Sequence, residues 1–184
     1  MGEAQPGEMN IDGTLFTFPE DWDVTVFDRW PQYQRPAGAL GLLGCDVLAL
    51  DGETLWIIEM KDYTYAGARP PDELTRTVGG KAAGTMAVLF ALQRAEAQSN
   101  AAQFAQGCAA ATRIHLALHV DIKDGGRKSK HIEPMLATLQ GKLRQVRKAL
   151  GLSKCYVTST LAPHASAPWS ARRDPDTRHR HEDR

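Results

Sequence analysis

Two carboxylates and a lysine, Asp46, Glu59 and Lys61, stand in a stretch whose other residues are mostly apolar. The stretch reads Cys45-Asp46-Val47-Leu48-Ala49-Leu50, then Asp51-Gly52-Glu53-Thr54, then Leu55-Trp56-Ile57-Ile58-Glu59-Met60-Lys61. Carboxylates held close together repel, and burial raises the cost of keeping both ionised. A divalent cation resolves that conflict. Sites built from one or two carboxylates, a backbone carbonyl and water suit magnesium or manganese. A lysine two residues from one ligand is within reach of an attacking water or a phosphate oxygen, where it can orient the nucleophile or stabilise developing charge.

For the three side chains to meet, the stretch must fold as a hairpin. Asp51-Gly52 is a two-residue turn signal, because both positions tolerate positive φ. That turn sets Leu50 opposite Glu53 and, counting back, Asp46 opposite Ile57. Opposed residues share a face and side chains alternate with period two, so Asp46, Ile57, Glu59 and Lys61 fall on one face. A one-residue slip would break this parity. The bland alternative is a wet hairpin face carrying a cross-strand ion pair. Against it, both strands are apolar on either side of the charges, as expected of strands covered on both faces, where a charge is costly unless paired or metal-bound.

The surrounding elements follow from periodicity. Residues 14–19 predict a short strand ended by proline, and residues 23–30 a second one by alternation. Pro31, Pro36 and Gly38 then break regular structure, and the neighbouring Trp30, Tyr33 and Arg35 read as packing lids more readily than as a groove. After a polar loop, Asp72 is the expected N-cap of a helix to about residue 95, firmest from Lys81 through Leu92. Gly79, Gly80 and Gly84 allow that helix a close approach to a sheet or a phosphate. Residues 101–111 predict a second helix and residues 113–121 a strand. Leu136, Leu139, Leu143, Val146 and Leu150 form the core stripe of an amphipathic helix that starts near Glu133 and stops at Gly151. Residues 155–160 predict a last strand. The expected organisation is a flexible N-terminus over 1–12, a single domain over 13–161, and a disordered tail over 162–184, which is rich in Pro, Ser, Arg, His and Asp.

Asp46, twelve intervening residues and then Glu59-Met60-Lys61 resemble the signature of the PD-(D/E)xK nuclease superfamily, the restriction-endonuclease-like fold. The order hairpin, helix, strand, helix, strand over 44–160 is similar to that family's core. The resemblance implies an α/β (α+β) fold with a mixed central β-sheet flanked by helices, and a metal-dependent endonuclease acting on nucleic acid, DNA before RNA, in defence or DNA processing. It also implies roles: Asp46, Glu59 and the Met60 carbonyl hold Mg2+ or Mn2+, and Lys61 acts on the attacking water. Cys45 stands where the family usually has proline. The family often adds an acid from an upstream helix; no helix is evident there, and Asp28, with Glu20 behind it, is the substitute. The alternative is a catalytically inactive relative that binds nucleic acid or organises a complex. Duplex cleavage by this family would call for a homodimer or larger assembly.

Bulk properties constrain the partners. A chain of 184 residues fits one domain. Its 22 Lys and Arg balance 22 Asp and Glu, so any attraction to nucleic acid must come from local segregation of charge. Such a segment exists: Arg127, Lys128, Lys130, Arg144, Arg147 and Lys148, flanked by Lys123, Lys142 and Lys154, face only Asp124 and Glu133 in sequence. A basic loop and helix face could track a phosphate backbone, although a solvated helix explains it equally well. Lys81 is a further candidate phosphate contact. His115 and His119 share a strand face but lie about 13 Å apart, so structural roles are expected. Cys45, Cys108 and Cys155 have no metal-ligand or disulfide spacing, and reduced thiols in a cytoplasmic protein are expected.

Overall fold

In the computed structural model the described residues are 8–65, 67–94, 99–122, 132–164 and 166–174. Two sheets organise the chain. The central one has five strands in the order β3 (Asp23–Val26), β4 (Val47–Leu50), β5 (Thr54–Tyr63), β6 (Arg113–Ile122), β7 (Lys154–Thr158). The first three form an antiparallel meander, whereas β6 and β7 run parallel to β5. Parallel neighbours need a crossover. Here α2 (Leu74–Leu92) and α3 (Asn100–Ala110) carry the chain from β5 to β6, and α4 (Glu133–Leu150) lies between β6 and β7. The mixed α/β architecture expected from the sequence is therefore present.

Both faces of the sheet are covered, each by a different material. Leu48, Leu55, Ile57, Leu116, Leu118 and Val157 pack with Val78, Ala82, Leu89, Phe104, Leu136 and Leu143 in a core shared with the helices. On the opposite face Val47, Ala49, Trp56, Ile58, Met60 and Tyr156 meet Ile11, Phe16, Phe18 and Trp169. These last residues come from or flank a small antiparallel sheet of β1 (Glu8–Ile11), β2 (Thr14–Thr17) and β8 (Ser170–Arg173). Consequently β5 is buried from Thr54 through Met60, which accounts for its near-continuous apolar run.

The second sheet corrects the expected ends of the domain. β1 lies within the stretch 1–12 read as flexible, and β8 lies within the stretch 162–184 read as a disordered tail. Neither segment has an apolar run of its own to announce it. β8 is held by its pairing with β2, by the burial of Trp169 just before it, and by ion pairs from Arg172 to Glu8 and from Arg173 to Asp62. These are contacts across the whole chain, outside any sequence window.

The expected break after residue 30 is a helix, α1 (Pro31–Leu40). Pro31 occupies its first turn, where the missing N–H would have had no partner. The helix buries none of its residues, so no amphipathic stripe marks it, and it carries no acidic side chain. Trp30 and Tyr33 do pack rather than line a groove: Phe27 sits against both rings, and Trp30 meets Phe104 edge to face. Asp72 is not the cap of α2; Glu73 holds that position without a side-chain cap bond.

α2 is docked tightly against the entry to β4. The N–H of Cys45 donates to Thr85 Oγ1 at 2.9 Å, and a Cβ at Gly84 would fall 2.0 Å from the Leu43 carbonyl oxygen. Gly80, one turn earlier, is exposed and has nothing within 4 Å of such a Cβ. Substitution by alanine should therefore have opposite signs at the two positions. Gly84→Ala should lower stability by about 1–3 kcal/mol through overpacking, and Gly80→Ala should raise it by about 0.5–1 kcal/mol through helix propensity. Urea denaturation of the two variants beside the parent checks both signs.

Candidate active site

The β4–β5 register brings the carboxylates together. Leu50 pairs with Leu55, Leu48 with Ile57 and Val47 with Ile58. The ladder ends at that pair, and the Asp46 N–H, just before β4, donates to the same Ile58 carbonyl at 3.2 Å. The turn differs from the expected one. Asp51 N–H donates to the Thr54 carbonyl, and Asp51 Oδ1 accepts the Thr54 N–H at 2.7 Å, leaving Gly52 and Glu53 as the central pair. Gly52, at φ 84°, takes the first central position, as glycine does in II′ hairpin turns. Moving the turn by one residue shifts the pairing by two, and a shift of two leaves every side chain on its original face. Ile57 thus meets Leu48 rather than Asp46, the parity of the two strands survives, and Asp46 joins Glu59 through their shared contact with Lys81.

Around this pair the charges are closely interlocked. Glu59 is fully buried. Its Oε1 accepts from Lys81 Nζ at 2.6 Å and lies 2.7 Å from Lys61 Nζ. Lys81 Nζ is also 3.6 Å from Asp46 Oδ1. Asp46 Oδ2 accepts the Met60 N–H at 2.6 Å. Because a strand residue directs its N–H and C=O to the same side, the Met60 carbonyl leaves β5 on the side to which its N–H points. Glu59 Oε2 is buried without a hydrogen-bond partner.

Burial pushes the Glu59 carboxyl above its usual range, and the Asp46 charge adds to that, with Lys81 and Lys61 pulling the other way. Burial opposes the charge of Lys81, but Glu59 and Asp46 outweigh it and hold the ammonium above its usual range. The two shifts are compatible: Glu59 carries the burial cost, while Lys81 faces two anions at once. Asp28 follows β3 in a 3-10 turn, Phe27–Arg29, that is tied to the site by the Phe27 N–H donating to the Asp46 carbonyl at 2.8 Å. The residue is exposed overall, yet partial burial of its carboxyl and the Asp46 charge push it upward.

Do these residues fit a divalent cation? Among the described residues no group of three or more His, Cys, Asp or Glu is placed to hold a metal, so Asp28 does not complete a three-carboxylate cage. What is present is a carboxylate pair, the Met60 main-chain carbonyl on the Asp46 side of β5, and a buried carboxylate oxygen lacking any hydrogen-bond partner. Magnesium keeps several waters and commonly binds through one or two carboxylates. The donor set fits that mode of binding.

Of the basic residues expected to hold nucleic acid, the structure brings Lys81 into the site. Arg127, Lys128 and Lys130 lie outside the described residues. Arg144, Arg147 and Lys148 belong to the second half of α4, near the start of β7: Arg147 donates to the Ser153 carbonyl, and Ser153 N–H donates to that of Ile114. Ile114 is four residues before Leu118, the β6 partner of Glu59, or about 13 Å along the strand. These three side chains are thus at the opposite end of the sheet from the carboxylates.

A second polar group, unmarked by any sequence pattern, lies on the other face at the same end of the sheet. Asp121 accepts from Ser159 Oγ, Thr160 N–H and Thr160 Oγ1, and Arg173 bridges Asp62 and Asp121. His119 is buried there between Thr158 and Phe16, and His115 is buried against Trp56, so both histidines are structural. The three cysteines are free and buried, and no helix among the described residues is long and apolar enough to cross a membrane.

No family model matches the chain, and no solved structure does. Among curated proteins it is similar to the cysteine–tRNA ligase of Neisseria meningitidis serogroup A, at 26% identity over 143 residues, covering 58% of this chain and 20% of that protein. The chain therefore spans about a fifth of the length of that relative.

Burial alone would raise Asp121, but the hydrogen bonds and charge of His119, with the bonds from Thr160, hold its carboxyl well below the usual range. A native pKa below the unfolded value stabilises the fold fully above about pH 4, and that stability is lost as pH falls through the native pKa. Asp121→Asn should cost about 2–4 kcal/mol at neutral pH and flatten the loss of stability below pH 4. Urea midpoints measured from pH 7 to pH 2.5 test both effects.

Proposed function

We propose that the chain is a metal-dependent nuclease that hydrolyses phosphodiester bonds, with DNA as its principal substrate. The observation that carries this reading is the buried Glu59 carboxylate, with one unpartnered oxygen, sharing the Lys81 ammonium with Asp46 and standing two residues from Lys61 on the same strand. Asp46, Glu59 and the Met60 carbonyl would hold Mg2+ or Mn2+. When bound, such an ion supplies charge neutralisation and lowers the pKa of water at neutral pH.

The chain's own groups have separable tasks. Asp46 is fixed by the Met60 N–H, so one of its oxygens is committed to the backbone and the other faces the site. Glu59 cannot turn to solvent, because the strand around it is buried. Lys61 is the more exposed of the two lysines, on the rim of the site, where it can orient the attacking water and stabilise charge developing on phosphate. Preorganisation of this kind needs little rearrangement during the reaction.

A second reading is favoured by the same four charges. Two ammonium groups against two carboxylates form a formally neutral set, as a retained but inactive nuclease-fold subunit would have. Incubating plasmid, single-stranded DNA and RNA, including tRNA because the curated relative is a tRNA ligase, with Mg2+, Mn2+ or chelator separates the two. The nuclease reading expects cleavage that chelator abolishes, and a fall of about a hundred-fold or more in Asp46→Ala, Glu59→Gln and Lys61→Ala with the fold retained. Nucleic-acid binding that ignores chelator, without cleavage under either metal, would establish the second reading instead.

A further inference from the structure

Lys81 is placed unlike an ordinary surface lysine or a simple phosphate contact. Among the described residues it is the cation that touches both carboxylates, at 2.6 Å from Glu59 Oε1 and 3.6 Å from Asp46 Oδ1. Lys61 reaches only Glu59. The Lys81 ammonium therefore stands between the two carboxylates that would hold a divalent cation. We propose that Lys81 is the exchangeable counter-ion of this site: it holds the carboxylates together at rest, yields its place when a divalent cation binds, and then turns to a substrate phosphate. This rests on the reading of Asp46 and Glu59 as metal ligands.

Charge arithmetic favours exchange over addition. Asp46 and Glu59 balance Lys61 and Lys81, so the resting set is neutral. Adding a divalent cation to that set would leave two uncompensated positive charges against a fully buried carboxylate. Withdrawal of one ammonium relieves half of the excess.

The lysine that can leave is the one on the helix. Lys61 shares a strand with Glu59 and reaches that carboxylate alone, whereas Lys81 reaches in from α2 to both carboxylates and so occupies the place where a divalent charge would go. The helix itself is held in place, because Thr85 accepts the Cys45 N–H and Gly84 abuts the Leu43 carbonyl. Exchange is thus a side-chain motion on a fixed backbone. The lysine stays near the site after it is displaced, and its charge is there to meet the anion that arrives with the metal.

Calorimetric titration of Mn2+ and Mg2+ into the full chain tests the inference, beside Lys81→Met and Lys61→Met variants. Removing the competing charge should tighten Mn2+ binding about ten-fold or more in Lys81→Met, with a smaller gain in Lys61→Met. Metal-free Lys81→Met should melt below the parent, because two carboxylates lose their shared cation, and Mn2+ should restore its melting temperature. Equal or weaker Mn2+ binding by a folded Lys81→Met would overturn the proposal. Should that variant not fold even with Mn2+, the parent decides: the Lys81 ammonium NMR signal must shift on Mg2+ addition, and an unchanged signal with metal bound rejects exchange. Tighter metal binding without cleavage of any nucleic acid would reject the nuclease reading alone, while cleavage with unaltered affinity in Lys81→Met would reject exchange alone.

Discussion

A carboxylate with no exposed surface, in the middle strand of a sheet covered on both faces, is the constraint around which the rest of this molecule is arranged. Glu59 cannot be hydrated, so its charge must be met from within the protein. The neighbouring elements each contribute to that end. Asp46 stands just before β4 and shares Lys81 with Glu59, β5 continues to Lys61, and α2 crosses close enough for Lys81 to reach inward. A fold needing only a stable core would place a leucine at position 59, and the retention of four coupled charges there is costly in stability.

The close docking of α2 explains why glycines occur in a helix otherwise built for burial. Gly79 faces the Val146 side chain of α4 and Gly84 faces the backbone before β4, so the helix is squeezed between the last helix and the first site-bearing strand. Thr85 then spends its hydroxyl on the Cys45 N–H, a donor left over where β4 has not yet begun. Position and chemistry are linked here: the same short approach that removes side-chain volume brings a lysine stem within reach of a buried acid.

Much of this was legible in the chain because its signals are local. The apolar run through Ile57 and Ile58 into Glu59 marked a strand with both faces covered, and the leucine stripe of α4 marked its buried side. Face parity at the site was legible even though the turn was misplaced, since the true pairing differs by two residues and alternation is blind to even shifts. Other parts depend on partners remote in sequence. α1 buries nothing and is entered through a proline, so neither periodicity nor composition announces it. β8 is four polar and small residues whose strand character comes from β2. The basic face of α4 was visible as composition, but its position at the far end of the sheet follows from chain direction, which a charge count does not contain.

The pairing of β2 with β8 has a consequence for the order in which the domain can assemble. Glu8 and Arg172 form an ion pair, as do Asp62 and Arg173, so the aromatic face of the central sheet is closed by the last strand described. A chain emerging from the ribosome can lay down the helix-side core and bring Asp46, Glu59 and Lys81 together while Trp169 and β8 are still missing from the other face. Long-range contacts of this kind are made late, after the loop-closure entropy has been met. Until residue 173 is synthesised, β2 lacks its β8 partner and Trp56 lacks Trp169, and during that interval a nascent chain leaves part of this apolar face open to its surroundings.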